Sequence, residues 1–255
     1  MARLKVADLQ HMKREGKKIA AAVVYDVPMT RIFERARVDV LSVGDSFASY
    51  LFGAKMEDVS VDDILPFAKA VVRAAERAVV SVDVPIAVCS AGATEVLEAA
   101  RRIKAEAGPD MAKLFIPSGE DGLVEQVHAV VEAGLAAYCR VRYPGARGHS
   151  DIRSSPEGHE HVMKWAHAVQ DAGASLIDLY QGPPEIYEEV ARSLRIPVIG
   201  GQWATPQADG KIFVYPNLVG YRGDAIDATD GRPSAARFMY DIIEPALASV
   251  HAGSW

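Results

Sequence analysis

A (β/α)8 TIM barrel, with parallel strands and outer helices, is the fold this sequence predicts, and three observations predict it. Short apolar, β-branched runs alternate with amphipathic segments about seven or eight times, which is the pattern of repeated βα units. The first of these runs, residues 19–25, is apolar almost throughout rather than alternating, as strands covered on both faces are. The chain has 255 residues and nothing in it reads as a linker, so one barrel domain over 1–255 accounts for its length.

The elements follow in order. Residues 6–15 read as a short amphipathic helix stopped by Gly16. Residues 19–25 are the first strand, and Pro28, at a favoured first-turn position, opens a helix to residue 36. A strand over 38–43 leads into Gly44, which is expected to let the backbone turn sharply, and then into a long aromatic loop over 47–57. The helix over 61–76 carries Asp62 and Asp63 in its first turn, where they suit the helix dipole. Strands over 78–83, 111–116, 135–141, 175–180 and 196–200 then alternate with helices over 94–107, 122–133, 156–172 and 185–194. A Gly/Pro/Arg/Ser loop fills 142–155, residues 210–220 hold a short helix or the last strand, and Pro245 should bend a final helix over 235–250.

Composition narrows the function. Hydrophobic residues make up 49% and charged residues 24%, as in ordinary globular proteins. A net charge of −6 with no long basic run argues against nucleic-acid binding. The first 18 residues are polar and lack the apolar core of a signal peptide, and no stretch approaches the roughly 18 apolar residues of a membrane span. Two cysteines are too few for a disulfide framework, so a reducing, cytoplasmic setting is expected. No glycine fingerprint follows the first strand, which weakens a dinucleotide-binding reading.

Barrels of this kind bind ligands at the carboxyl ends of their strands. Two strands end there in carboxylates: 38–43 runs into Gly44-Asp45-Ser46, and 78–83 closes on Asp83. Asp45 and Asp83 at one mouth form a candidate site for Mg2+ or another divalent cation, which takes hard oxygen ligands and keeps waters; alternatively each caps a neighbouring helix or turn. Lys113, near a strand end, is costly to bury without an anion. It pairs with a substrate carboxylate or with Asp83, or else forms a structural ion pair. Strand periodicity puts Lys113 with Phe115, Asp178 with Tyr180, and Tyr138 with Arg140 and Arg142 on shared faces. Phe115 then walls the site. Arg140 and Arg142 clamp an anion bidentately or make ordinary ion pairs. Tyr180, whose unperturbed pKa near 10 makes it a poor base, donates a proton or holds a carbonyl; Asp178 is a substitute base, or a carboxylate paired inside the barrel. His149, His159 and His161 match no zinc spacing and belong to a surface loop and helix start, with His149 a candidate lid residue. Cys89 and Cys139 read as packing residues. Phe238, Ile242, Leu247 and Val250 form an apolar stripe on the last helix.

Leu9-Gln-His-Met-Lys-Arg-Glu-Gly-Lys-Lys-Ile19, Tyr25-Asp-Val-Pro28, Val43-Gly-Asp-Ser46, Val59-Ser-Val-Asp-Asp63, Asp83-Val-Pro85, Lys113, Ile196-Pro-Val-Ile-Gly200 and Asp209-Gly-Lys211 together resemble the ketopantoate hydroxymethyltransferase family, within the phosphoenolpyruvate mutase/isocitrate lyase superfamily. The likeness is dense to about Lys113 and patchy beyond. It implies a magnesium barrel in which Asp45 and Asp83 match the direct metal ligands and Ser46 and Lys113 match residues around a 2-oxo acid. The substrate is then chelated, deprotonated at C3, and joined to a one-carbon unit from a tetrahydrofolate co-substrate. It also implies a homo-oligomer built through the last helix. Three family positions are replaced: Phe115 stands for a metal-associated glutamate, Arg140 for a histidine, and Tyr180 for the catalytic glutamate. The leading expectation is therefore a metal-dependent enzyme that makes or breaks a C–C bond beside a 2-oxo acid, on an altered substrate. Its alternatives are a superfamily lyase or hydrolase acting on a 2-oxo acid or phosphonate, and a non-catalytic barrel that binds a metabolite or a protein.

Overall fold

The computed structural model describes residues 2–116, 119–145, 154–201, 204–222, 225–227 and 231–251. The chain divides into two compact units, Met1–Ile212 and Phe213–Trp255. In the first unit, β1 (Ile19–Val23), β2 (Val40–Val43), β3 (Val79–Asp83), β4 (Met111–Leu114), β5 (Ala136–Arg142), β6 (Ala174–Tyr180) and β7 (Val198–Gly200) pair in chain order. All are parallel, and β8 (Gly210–Val214), which starts in this unit, completes a closed eight-stranded barrel. At the seam, the Ile19 N–H donates to the Asp209 carbonyl at 2.9 Å. A Cβ on Gly210 would lie 2.1 Å from the Ile19 carbonyl oxygen, so only glycine passes there. The strands are apolar because both faces are covered: β2 is buried at every position, and so is β4.

Helices α1 (Val6–Arg14), α2 (Val27–Arg35), α3 (Val61–Ala74), α4 (Ile86–Ala91), α5 (Ala93–Glu106), α6 (Leu123–Glu132), α7 (Pro156–Asp171) and α8 (Pro184–Ser193) accompany these strands. Their starts are written locally. Asp26 accepts the Met29 N–H at 2.7 Å, Ser60 and Asp63 form a reciprocal capping box, and Ser155 accepts the Gly158 N–H at 3.0 Å. The second unit holds α9 (Tyr215–Leu218) and α10 (Ala235–His251).

Several boundaries differ from expectation. Strands β1, β2, β4 and β7 are each two residues shorter than their apolar runs, since apolar composition outlasts ladder pairing. Residues 86–91 form a helix that periodicity did not signal, because six residues are too few to show a 3.6 period. The aromatic stretch after β2 contains a π-helical turn, Ala48–Phe52, and a 3-10 turn, Met56–Asp58. Residues 210–220 hold both candidates, β8 and then α9.

At the amino ends of the strands the fold repeats one device three times. Asp39, Asp110 and Asp209 stand just before β2, β4 and β8, and each accepts a backbone N–H from the preceding strand: Ala20 at 3.0 Å, Val80 at 2.8 Å and Val198 at 2.8 Å. Each also pairs with a cation, Arg77 at 2.7 Å, Arg3 at 3.0 Å and Lys13 at 2.8 Å.

Candidate active site

The opposite end of the barrel gathers the strand-end side chains. Asp45 follows β2 and is 7% exposed, while Asp83 closes β3. The backbone N–H of Ile86, the first residue of α4, donates to Asp45, and the N–H of Asp45 donates to Asp83. Burial, followed by repulsion from Asp83, raises the Asp45 carboxyl to about 7. Asp83 is raised too, first by burial, against the pull of Lys113 and Arg140, and its Oδ1 is sealed with no protein hydrogen-bond partner. Gly44 fits this corner because of close approach. It has no left-handed φ, so the sharp turn expected of it is not the reason for glycine. A Cβ there would meet Ser46 Oγ at 3.0 Å, Val23 Cγ1 at 3.2 Å and Asp83 Oδ2 at 3.4 Å. Ser46 Oγ lies 2.8 Å from the hydroxyl of Tyr25, a buried residue two positions past β1.

The second half of the mouth is a cluster of opposite charges. Strand register sets Asp83 beside Lys113, Lys113 beside Tyr138, Arg140 beside Asp178, and Arg142 beside Tyr180. Lys113, 3% exposed, donates to Asp178 Oδ2 at 2.6 Å, and Arg140 Nε donates to the same oxygen at 3.0 Å. Lys113 therefore pairs with Asp178, not Asp83, because the side chain reaches across the barrel interior. Burial alone would raise Asp178, but the two cations hold its pKa below the usual carboxylate value. That makes the substitute base of the sequence reading a weakly basic, paired carboxylate. The Arg140 guanidinium carbon stands 4.9 Å from the Phe115 ring centroid and 4.7 Å from that of Tyr180. With only its Nε bonded to protein among the described residues, its terminal nitrogens form an open fork suited to a carboxylate or phosphonate.

The backbone N–H of Arg142 donates to Glu120 at 3.0 Å, and the other Glu120 oxygen lies 2.8 Å from His161 Nε2. His159 pairs with Glu189 at 2.8 Å, and both histidines sit near the start of α7. His149 lies outside the described residues. Cys89 and Cys139 are buried, and burial pushes Cys89 up to about 12 and raises Cys139 as well, so neither is a ready nucleophile. Sequence reasoning gave no role to Tyr25, Glu120 or Tyr138. Two carried a signal: period 2 already placed Tyr138 on the face of Arg140, and Tyr25 opens one of the stretches that carry the family resemblance.

Among the described residues, no group of three or more His, Cys, Asp and Glu side chains could hold a metal ion. The carboxylate pair alone nevertheless suits a hard divalent cation, which takes few protein ligands and fills the rest of its shell with water and substrate. The sealed, unpartnered Asp83 oxygen and the repulsion between the two carboxylates are the observations that fit such an ion. No helix among the described residues is long and apolar enough to cross a membrane.

A family model described as ketopantoate hydroxymethyltransferase matches residues 3–234. The 3-methyl-2-oxobutanoate hydroxymethyltransferase of Leifsonia xyli subsp. xyli is 33% identical over 225 residues, covering 86% of this chain and 79% of its own. The crystal structure of 2,3-dimethylmalate lyase, a PEP mutase/isocitrate lyase superfamily member, superposes with a TM-score of 0.64 at 17% identity, covering 84% of this chain and 81% of that one. A phosphonopyruvate hydrolase solved as a complex with oxalate and Mg2+ superposes with a TM-score of 0.63 at 14% identity, covering 99% of both chains.

Proposed function

The chain belongs to the ketopantoate hydroxymethyltransferase family and is an enzyme, and from that premise we propose that it makes or breaks a C–C bond beside the keto group of a 2-oxo acid, with Mg2+ or a similar ion at Asp45 and Asp83. The observation that carries this reading is the pair of strand-end carboxylates, one raised to about 7 and the other with a sealed, unpartnered oxygen. When bound there, a divalent cation supplies Lewis-acid polarisation of a carbonyl, which acidifies the neighbouring C–H. The chain's own residues do the rest. Ser46, aligned by Tyr25, stands beside the carboxylates and hydrogen-bonds substrate oxygen. Lys113 and Arg140 bring two positive charges to a mouth where negative charge develops. The Arg140 fork, fixed between Phe115 and Tyr180, takes a carboxylate or phosphonate, and Arg142 at the end of β5 assists it. Tyr180 holds the carbonyl or donates a proton to its oxygen, and the proton leaving carbon passes to solvent water at the mouth, since Asp178 is committed to Lys113 and Arg140.

The substrate in this reading is not the common branched 2-oxo acid of the family. An arginine and two aromatic rings stand where the resemblance expects acidic and imidazole groups, which suits a larger or more anionic acid. The same observation favours a second reading, lyase or hydrolase chemistry on a 2-oxo acid or phosphonate. The Leifsonia relative is named for 3-methyl-2-oxobutanoate, which makes that acid the first probe, and tetrahydrofolate the first one-carbon donor to supply. A homo-oligomer belongs to the proposal as well, since Phe238, Ile242 and Leu247 of α10 are each more than half exposed.

The test is proton NMR in D2O, with Mg2+ and a panel of 2-oxo acids that includes 3-methyl-2-oxobutanoate and dicarboxylic members. Loss of the proton signal beside the keto group, abolished in Asp45→Ala, supports the reading. No exchange on any acid, with Mg2+ binding confirmed, overturns it, and release of pyruvate, glyoxylate or phosphate selects the second reading.

A further inference from the structure

Tyr138 lies inside the barrel on β5, fully buried, two residues before Arg140. Its ring sits under Lys113, whose Nζ is 4.5 Å from the ring centroid. Among the described residues its hydroxyl has no hydrogen-bond partner, and neither has Oδ1 of Asp178, on the adjacent strand and the same inner face. A buried hydroxyl with nothing to bond costs about 1–3 kcal/mol, and a phenylalanine would fill this space without that cost. The two orphans are complementary. Burial, and then the nearby Asp178 carboxylate, push the phenol well above its ordinary pKa, so it stays protonated and is a donor. Asp178 Oδ1 is an acceptor. A molecule that accepts from a phenol and donates to a carboxylate completes both, and the smallest such molecule is water.

We propose that Tyr138 and Asp178 hold one buried water between them, and that Tyr138 is thereby a positioning residue for the Lys113–Asp178–Arg140 cluster. The phenol O–H donates to the water, and the water donates to Asp178 Oδ1. Oδ2 of the same carboxylate already accepts from Lys113 and Arg140, so both its oxygens become fixed. With its ring under Lys113 and its hydroxyl on the water, Tyr138 sets the ammonium's height in the barrel through two separate contacts. The positioning role rests on the proposed function, through Lys113; the water does not.

The experiment compares the full chain with Tyr138→Phe, which keeps the ring and deletes the hydroxyl. A crystal structure of the wild type at about 1.5 Å should show an ordered water within hydrogen-bond distance of Tyr138 Oη and Asp178 Oδ1. The thermal midpoint of Tyr138→Phe should fall by about 2–4 °C, the shift expected for the loss of about one hydrogen bond in a chain of this size. A site without such water, or a midpoint that stays or rises, overturns the water, because deleting a truly unpaired hydroxyl relieves a penalty. For the positioning role, exchange of the 2-oxo acid at 25 °C, where both proteins are folded, should slow about tenfold in Tyr138→Phe with the Mg2+ requirement unchanged. An unchanged rate in a folded variant overturns positioning. Absence of exchange in the wild type strikes the proposed function, and leaves the water and midpoint readings to stand or fall on their own.

Discussion

The two ends of the barrel use aspartate in opposite ways. At the amino ends of the strands, Asp39, Asp110 and Asp209 each receive a backbone N–H and a cation. At the carboxyl ends, Asp45 and Asp83 repel one another across one corner of the mouth, and one Asp83 oxygen has no protein partner among the described residues. The first arrangement is complete in the protein alone. The second is electrostatically unfinished, and in the proposed reading a cation finishes it. An aspartate at a strand end is thus informative only through what surrounds it: the same residue type is paired within the protein at one end and, in the proposed reading, takes an ion at the other.

The strongest way to break this comparison is Asp83→Ala. It should cut metal-dependent exchange of a 2-oxo acid by a thousandfold or more while leaving the protein folded, checked by NMR in D2O together with circular dichroism. A variant that exchanges at the wild-type rate removes the metal centre from the account.

Titration without metal sharpens it next. The folded Asp45 carboxyl sits at about 7, above its unfolded value of about 3.9, so its contribution to stability is fully present below pH 4 and is lost as pH rises through 7. The metal-free protein should therefore lose stability over that window, by at most roughly 4 kcal/mol from this group. Millimolar Mg2+ should flatten the loss, and Asp45→Asn should remove the Asp45 share of it, leaving the part due to Asp83, whose carboxyl burial also raises. Asp178 has the opposite sign: its folded pKa is lowered, so its contribution is present above its unfolded value and is lost as pH falls through the folded one. Denaturant midpoints across pH 3–8, with and without Mg2+, read both trends.

At the amino end of the barrel, Asp209→Ala takes the counter-charge from the Lys13 ammonium, leaving it on the Ala191 and Ile196 carbonyls, and removes the cap on the Val198 N–H. About 3 kcal/mol of stability should go, a fall of roughly 6–12 °C in thermal midpoint, with the exchange rate kept at temperatures where the variant is folded. An equal loss of activity in the folded variant would mean that the two ends are coupled.

The smallest effect belongs to Arg140→Lys. The charge stays, but the flat guanidinium between Phe115 and Tyr180 goes. Each stacking contributes about 0.5–1 kcal/mol, so stability should drop by about 1–2 kcal/mol, and the KM for an anionic substrate should rise more than kcat changes. A raised kcat would instead show that the arginine restrains Tyr180.

The barrel was legible in the sequence because alternation of buried strands with amphipathic helices is written in local order, and period 2 put Lys113 with Phe115 and Arg140 with Arg142. Strand-end placement of Asp45 and Asp83 was legible for the same reason: a run of valines ends where the carboxylate begins. Partnership was not. That Lys113 crosses to Asp178, that Arg140 lies between two rings, and that Tyr25 aligns Ser46 depend on strand order, barrel closure and side-chain reach. Those contacts join residues from 21 to 65 positions apart. The difference between the satisfied aspartates and the unfinished pair was likewise decided only in the folded chain, since desolvation and the distance between charges exist only once the barrel has closed around them.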